Sequence, residues 1–250
     1  MVESPSIAGR TAAQGPGGGS DEPRPTVDIR VVLFTVAEGR LLVALRPRAD
    51  GGAEVPRGLP GPEAGLDGEA HRIVLEGAGH ADGQPYLEQL YTLSVEGSPG
   101  WTIIVSYLGL AAGGADAEAG SGRWFPVDDL PALDGADRMV LDYALVRLRA
   151  KIGYTTIAFH LLPPTFTLRE LQDTYEAILG HELDKRNFRR RVTAAGFLEA
   201  TGEKRRDGSH RPAVVYRFRA DHDPTTYLTP TWTHNGGGAT GARAAAAENP

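Results

Sequence analysis

The sequence predicts an α+β chain in two units, with a strand-rich first half and a winged helix-turn-helix near the C-terminus. Three observations lead there. Phe166 to Phe218 carries two helical periods, a basic stretch and an alternating strand, the order of a winged helix. Cationic charge is concentrated in the same region: residues 151–220 hold 13 Lys+Arg against 8 Asp+Glu, and the rest of the chain holds 13 against 24. Upstream, Val27 to Leu45 is β-branched and apolar around a Glu38-Gly39 turn, which reads as two strands.

Taken in order, residues 1–25 are rich in Gly, Pro, Ser and Ala and read as a disordered tail. Strands are expected over 27–36 and 41–45, closed by Arg46 and Arg48, before an Asp50-Gly51-Gly52-Ala53 loop. Residues 66–79 read as a helix ending near Gly79, with Leu66, Ala70, Ile73, Val74 and Gly77 on one side. Trp101 to Leu110 is a strand, and Gly122 to Pro131 a strand running into a turn. A helix over 137–151 buries Val140, Leu141, Ala144, Leu145 and Leu148, and Ile157 to Leu162 reads as a strand.

Thr167 and Glu170 have capping-box spacing, so a helix starts there and runs to Gly180. Asp184 caps a second helix whose apolar stripe is Phe188, Val192 and Ala195. Lys204 to Gly208 is a basic turn with Asp207-Gly208 at a hairpin tip, and Val214 to Phe218 is the strand after it. The tail over 228–250 resembles the first in composition.

The second helix decides the functional class. From Lys185 to Arg191 it holds five basic residues and no acid. At 100° per residue from Phe188, Arg186, Arg190 and Thr193 point away from the apolar stripe, and Asn187 and Arg189 flank that outer face. Arginine suits guanine edges, asparagine suits adenine, and any cation here can hold phosphate. Double-stranded DNA is the expected partner, against the plainer alternatives of a solubilising face or a contact for an acidic protein.

The full chain has a net charge of −6 and no cysteine, so it holds no disulfide framework and no thiolate chemistry. No apolar run approaches transmembrane length and no signal-peptide core opens the sequence, so a cytoplasmic protein without membrane contact is expected. The seven histidines show no metal-ligand spacing, and no G-x-S-x-G is present.

Residues 58–79 also resemble the box of the Nudix family, with Arg72, Val74, Glu76 and Gly79 in register from Gly58. The box departs from the family where it matters: Ala64, Ile73 and Gly77 stand at Glu positions. Hard divalent cations need several oxygen ligands, so no catalytic residue, metal or cofactor is expected. A surface ladder of Glu69, Arg72 and Glu76 is the reading favoured over a displaced metal site.

Over about residues 27–219 the chain further resembles the Nudix-related transcriptional regulators, best known from the NrtR branch. The resemblance is carried by YLEQLYT (86–92), RLRAKIGYT (147–155), LLPPTFTLRELQ (161–172), LDKRNFRRR (183–191) and SHRPAVVYRF (209–218). It implies an N-terminal Nudix-like αβα sandwich over 27–135, a linker helix over 137–151 and a winged helix over 152–220. It also implies a homodimer on a palindromic operator, with a degenerate Nudix domain that senses a metabolite such as ADP-ribose in NAD metabolism.

The same resemblance puts Lys185, Arg186, Asn187, Arg189 and Arg190 on the recognition helix, and Lys204, Arg205, Arg206, His210 and Arg211 in or beside the wing. Arg147, Arg149 and Lys151 fall on the linker helix, with a structural or a DNA-contacting role. Arg46, Arg57, Glu76 and Gln89 fall in the effector cleft. The loop over 94–100 lacks the arginine of the NAD-linked pattern. An active hydrolase, or a sugar-catabolism regulator with another effector, are the alternatives.

Overall fold

The computed structural model describes residues 24–78, 85–96, 100–113, 122–206 and 212–219. The expected disordered tails, apart from Arg24 and Pro25, lie outside these residues, as do the Asp207-Gly208 tip and the helix end at Gly79. The burial of Gly77 is likewise not described.

Strands β1 (Thr26–Ala37) and β2 (Arg40–Pro47) form a hairpin turned at Glu38 and Gly39, whose φ values are 50° and 72°. Tight hairpins need such positive φ to match strand twist, and glycine supplies it without a Cβ clash. β1 is buried from Asp28 to Thr35 because it is central. It runs antiparallel to β2 and parallel to β6 (Trp101–Leu110). β5 (Tyr86–Glu96) pairs antiparallel with β6 at the end of the path, and β3 (Ala53–Glu54), β4 (Arg57–Gly58) and β7 (Arg123–Pro126) complete a seven-stranded mixed sheet.

Alternation along β1 sends its side chains to two cores. Ile29, Val31 and Leu33 join Val105 and Tyr107 under helix α1 (Gly65–Ala78), which contributes Ala70, Ile73 and Val74. Val32 and Phe34 join Val43, Leu45, Ile104 and Leu108 under helix α2 (Gly135–Lys151), which contributes Val140, Leu141, Ala144 and Leu148. The result is an αβα sandwich. Leu66, expected on the buried side of α1, is instead 39% exposed, because the first turn of that helix overhangs the sheet and leaves Ala70 as the first core contact.

The second core does not stop at α2. It continues through Ile157, Ala158 and Leu161 into Phe166, Leu171, Tyr175, Ile178, Phe188, Val192 and Phe197. The C-terminal unit therefore shares its apolar interior with the sandwich. Ile157–Leu161 is a 3-10 helix, not the expected strand. Its β-branched and aromatic residues suit a strand locally, but Ile157, Ala158 and Leu161 are all buried, and a tight turn aims all three inward.

Strand β8 (Thr165–Thr167), unrecognised in the sequence, leads into α3 (Leu168–Leu179). The capping box is complete: the Thr167 side chain accepts from the Glu170 amide at 3.2 Å, and Glu170 accepts from the Thr167 amide at 2.6 Å. Gly180 ends the helix at φ 76°. Helix α4 (Lys185–Ala194) starts at Asp184, whose carboxylate accepts from the Asn187 amide at 2.7 Å.

Ala195, assigned to the apolar stripe of α4, is exposed because it is already the C-cap, where the chain leaves the helix. Strands β9 (Leu198–Arg205) and β10 (Ala213–Phe218) form the wing, with β10 between β8 and β9. Lys204 and Arg205, expected in a turn, end β9. A bulge near Val215 sits in that hairpin. It interrupts the alternation from which a strand would be read.

Candidate nucleic-acid interface and effector cleft

Helix α4 is seated by its apolar stripe. Phe188 and Val192 are 3% and 1% exposed, and the Phe188 ring meets Tyr175 edge-on at 5.4 Å. The seat turns the cationic side outward: Lys185, Arg186 and Arg190 are exposed, and Asn187 and Arg189 are half-buried. Arg190 donates to the Asn187 side-chain oxygen at 2.9 Å, which ties two polar groups of the outer face into one element. Arg189 has its Nε sealed from water without a partner among the described residues. Asp184 stands only at the N-cap, and the helix itself holds no acid in its first turn.

The wing cations divide. Lys204 and Arg206 are exposed, whereas Arg205 is anchored, donating to Glu170 at 2.7 Å and to the Thr165 carbonyl at 3.2 Å. Arg205 thereby clamps β9 to the start of α3. His210 and Arg211 lie outside the described residues.

On the face of the sheet away from α2, α1 carries the residues read as a carboxylate ladder. Arg72 donates Nε to Glu69 at 2.9 Å and also donates to Glu76. Its guanidinium holds the Glu69 carboxyl below the ordinary value, with burial opposing. Glu69 is buried, not superficial: a Cβ on Gly58 would stand 1.8 Å from its Oε1. The glycine of β4 is what lets that carboxylate lie against the backbone.

Of the four residues read as cleft-forming, the structure brings three together, Arg57 through its backbone alone. Arg46 reaches Glu76 at 3.6 Å and donates to the Arg57 carbonyl at 3.1 Å. Arg57 itself pairs with Arg30 in the ladder and donates its guanidinium to Glu54 at 3.0 Å, so its charge is not added to that of Arg46. Gln89 is exposed on β5 opposite Tyr107, with its amide 3.5 Å from the Thr92 hydroxyl. Tyr107, not singled out from the sequence, donates to Asp67 at 2.6 Å beneath α1. Burial is the main reason its phenol lies above the ordinary value.

Two polar clusters were also missed. Arg30, alone among apolar neighbours in β1, donates to Asp28 at 3.0 Å and to the fully buried Asp137 at 2.6 Å, and Asp137 accepts the Val55 amide at 3.0 Å. A charge inside a buried strand was the available signal, and the network pins the start of α2 to the sheet. At the other end of α2, Lys151 donates to Glu88, Arg147 lies 3.9 Å from Glu88, and Arg149 donates to the Ile178 carbonyl at 2.9 Å. Lys151 and Arg149 are thus bound within the protein, whereas Arg147 stays exposed. The Tyr86 ring lies tilted against His160, centroids 4.6 Å apart, in the same cluster. Burial, then the Lys151 charge, hold the His160 imidazole below its ordinary value.

No helix among the described residues is long and apolar enough to cross a membrane, and none of their His, Asp and Glu clusters could hold a metal ion.

Residues 158–218 match a family model described as the NrtR DNA-binding winged helix domain. The ADPR responsive transcriptional repressor NtrR of Acinetobacter baylyi is 35% identical over 213 residues, covering 80% of this chain and 84% of the relative. Shewanella oneidensis NrtR, solved in complex with a 27mer DNA, superposes with a TM-score of 0.67 at 28% identity, covering 81% of this chain and 99% of that one. A MutT/nudix family protein from Enterococcus faecalis superposes with a TM-score of 0.62 at 20% identity, over 81% and 90% of the two chains, which is a likeness of fold alone.

Proposed function

Because this chain belongs to the family of NrtR-type, Nudix-related transcriptional regulators, we propose that it represses transcription by inserting α4 into the DNA major groove and that ADP-ribose lowers its hold on the operator. The observation that carries this reading is the exposed row of Lys185, Arg186 and Arg190 on a helix seated by Phe188 and Val192. Such a row supplies phosphate attraction along its length and arginine forks for base edges near its start. Asn187 and Arg189 flank the groove-facing side, and Lys204, Arg206, His210 and Arg211 add wing contacts. Arg205 serves mainly to hold the wing. Two copies on a palindrome double the site that one winged helix can read.

In this reading residues 27–135 sense the effector, α2 links, and 152–220 bind DNA. Arg46 is the cation offered to a diphosphate, exchanging Glu76 for the ligand, with the Arg57 backbone behind it and Gln89 as a further polar group for the effector. The donor set does not fit a catalytic Mg²⁺. Ile73 and Gly77 replace carboxylates, and Glu69 and Glu76 share the Arg72 guanidinium. The protein is therefore a regulator without hydrolase activity.

Fluorescence anisotropy on the protein's own promoter fragment tests the proposal. Tight binding at about 0.1 M salt, weakened by ADP-ribose without Mg²⁺-dependent turnover, is the expected result. Indifference to every upstream fragment sinks it, and turnover that requires Glu76 overturns the non-enzyme part.

A further inference from the structure

We propose that Glu88 is a two-position joint between the sandwich and the winged helix, held by Lys151 when the effector cleft is empty and passed to Arg147 when the cleft is filled. The inference deepens the repressor reading, on which it rests for the effector and the operator, and it assigns two cations of the linker helix opposite parts in release.

Glu88 and Gln89 are neighbours on β5 that face opposite sides of the sheet. Gln89 stands opposite Tyr107, a member of the core under α1, and Glu88 stands opposite Leu108, a member of the core under α2. The register of β5 on β6 shifts between Gln89 and Thr92. Such an irregularity lets a strand bend locally while the ladder holds on either side. A ligand that draws on Gln89 from one face therefore moves Glu88 on the other.

On the α2 face, Glu88 meets two cations of one helix. Lys151, only 9% exposed, donates to Glu88 Oε2. Arg147 lies one turn earlier with its side chain 46% exposed, and its Nε is 3.9 Å from Oε1. Oε1 is sealed from solvent and has no hydrogen-bond partner among the described residues. One oxygen is thus committed to the buried cation, while the other sits just beyond hydrogen-bond reach of the exposed one. A buried acceptor left in that state is costly, and a small displacement relieves it. Turning Glu88 onto Arg147 satisfies Oε1 and leaves the Lys151 ammonium with the Tyr86 hydroxyl at 3.3 Å. The exchange trades a buried ion pair for an exposed one. Attraction and lost hydration nearly offset each other in a buried pair, so the two arrangements lie close in free energy.

The joint reaches the winged helix through Tyr86 and His160. Tyr86 donates its hydroxyl to Glu88 Oε2 at 2.6 Å, and its ring lies against that of His160. His160 Nε2 is a second buried atom without a hydrogen-bond partner among the described residues. His160 belongs to the 3-10 helix, where the neighbouring Phe159 ring is centred 4.8 Å from Phe218, 5.3 Å from Phe197 and 5.5 Å from Phe166. Both orphaned atoms therefore sit at one seam, between the strand that carries Gln89 and the aromatic hub that carries the wing. A network with a partner exchange inside it is a two-state element that both sites can bias.

Reciprocal linkage gives the two cations opposite signatures. Arg147→Ala removes the second position and keeps Glu88 on Lys151, and Lys151→Met removes the first. Titration calorimetry without DNA should find ADP-ribose bound at least about fivefold more weakly by Arg147→Ala, and at least about fivefold more tightly by Lys151→Met, than by the wild type. In anisotropy titrations on the promoter fragment, Arg147→Ala should keep the wild-type affinity and no longer be released by ADP-ribose, whereas Lys151→Met should bind weakly from the outset.

Arg147 is exposed, so its variant carries the test alone if Lys151→Met fails to fold. A phosphate-contacting Arg147 would weaken the operator complex, and a merely structural pair would leave both calorimetric constants at the wild-type value; either result overturns the proposal, as does a wild type that does not bind ADP-ribose. Release by ADP-ribose that survives in Arg147→Ala removes the joint and leaves the repressor reading standing. Opposite calorimetric shifts in a protein that binds no promoter fragment remove the repressor reading and leave the joint.

Discussion

Helices α1 and α4 both carry arginine on an outer face, and they differ in what answers that charge. In α1, Arg72 is claimed by Glu69 and Glu76 within its own helix, and Arg46 of β2 approaches the same Glu76. In α4, five cations stand from Lys185 to Arg191 with no acid among them, over a seat of two apolar residues. Glutamates held in an internal ladder are poorly placed to ligate a metal, whereas the exposed Lys185, Arg186 and Arg190 remain available to an external polyanion. The contrast teaches that a charged helix is read from its partners and not from its charge count. It also explains how a scaffold of hydrolase type can be retained while the chemistry moves to the other end of the chain.

The largest expected effects break the two seats. Phe188→Ala removes the anchor of α4, and about 3–5 kcal/mol of unfolding free energy should be lost in urea denaturation, with DNA binding lost alongside. Ile73→Glu, which restores the Nudix-box carboxylate of α1, should destabilise by about 3 kcal/mol or more, because the position is 1% exposed and the new charge has no buried partner. No Mg²⁺-dependent hydrolysis should appear. A stable, active Ile73→Glu protein would show that α1 retains a latent metal site.

Arg190→Ala should weaken specific operator binding by about 1–3 kcal/mol in anisotropy titrations, and Arg205→Ala should cost less binding and more stability, since Arg205 is anchored to Glu170. Equal losses of affinity would erase the distinction between groove-facing and clamping arginines. Arg72→Ala should cost about 1–2 kcal/mol of stability by leaving Glu69 unpaired in its pocket, with operator affinity unchanged.

The smallest effect is on pH. Burial keeps His160 neutral in the fold, below its ordinary value of 6.5. Its contribution is therefore complete above that value and declines as pH falls through it toward the lower folded value. His160→Phe should flatten the loss of stability as pH falls below about 6.5, read by urea denaturation across that range. An unaltered slope would place that titration elsewhere.

Much of the fold was legible. The capping box at Thr167 and Glu170, the Gly180 stop, the Asp184 cap and the Glu38-Gly39 turn are local signals, and each appears as read. The 3-10 helix at Ile157–Leu161 was not legible as such, because its residues favour a strand until the core shared by α2 and the winged helix sets their direction. β8 and β9 were missed for a related reason: three residues are too few for a period, and Glu199, Thr201, Glu203 and Arg205 carry no apolar alternation. At the cleft, Arg46 meets Glu76 and the Arg57 carbonyl, but that the Arg57 guanidinium turns to Glu54 depends on how β4 is placed in the sheet.

By itself the sequence determined which helix is cationic, where its caps and apolar seat fall, and which carboxylates the Nudix box has lost, because periodicity, capping and residue identity are properties of short stretches. Only the tertiary structure decided that Glu69 lies buried against Gly58, that Arg205 is a clamp, that Arg30 locks onto Asp137 across 107 residues, and that one core runs from the sandwich into the winged helix. Each of these joins groups far apart along the chain, and such contacts exist only once the whole chain has packed.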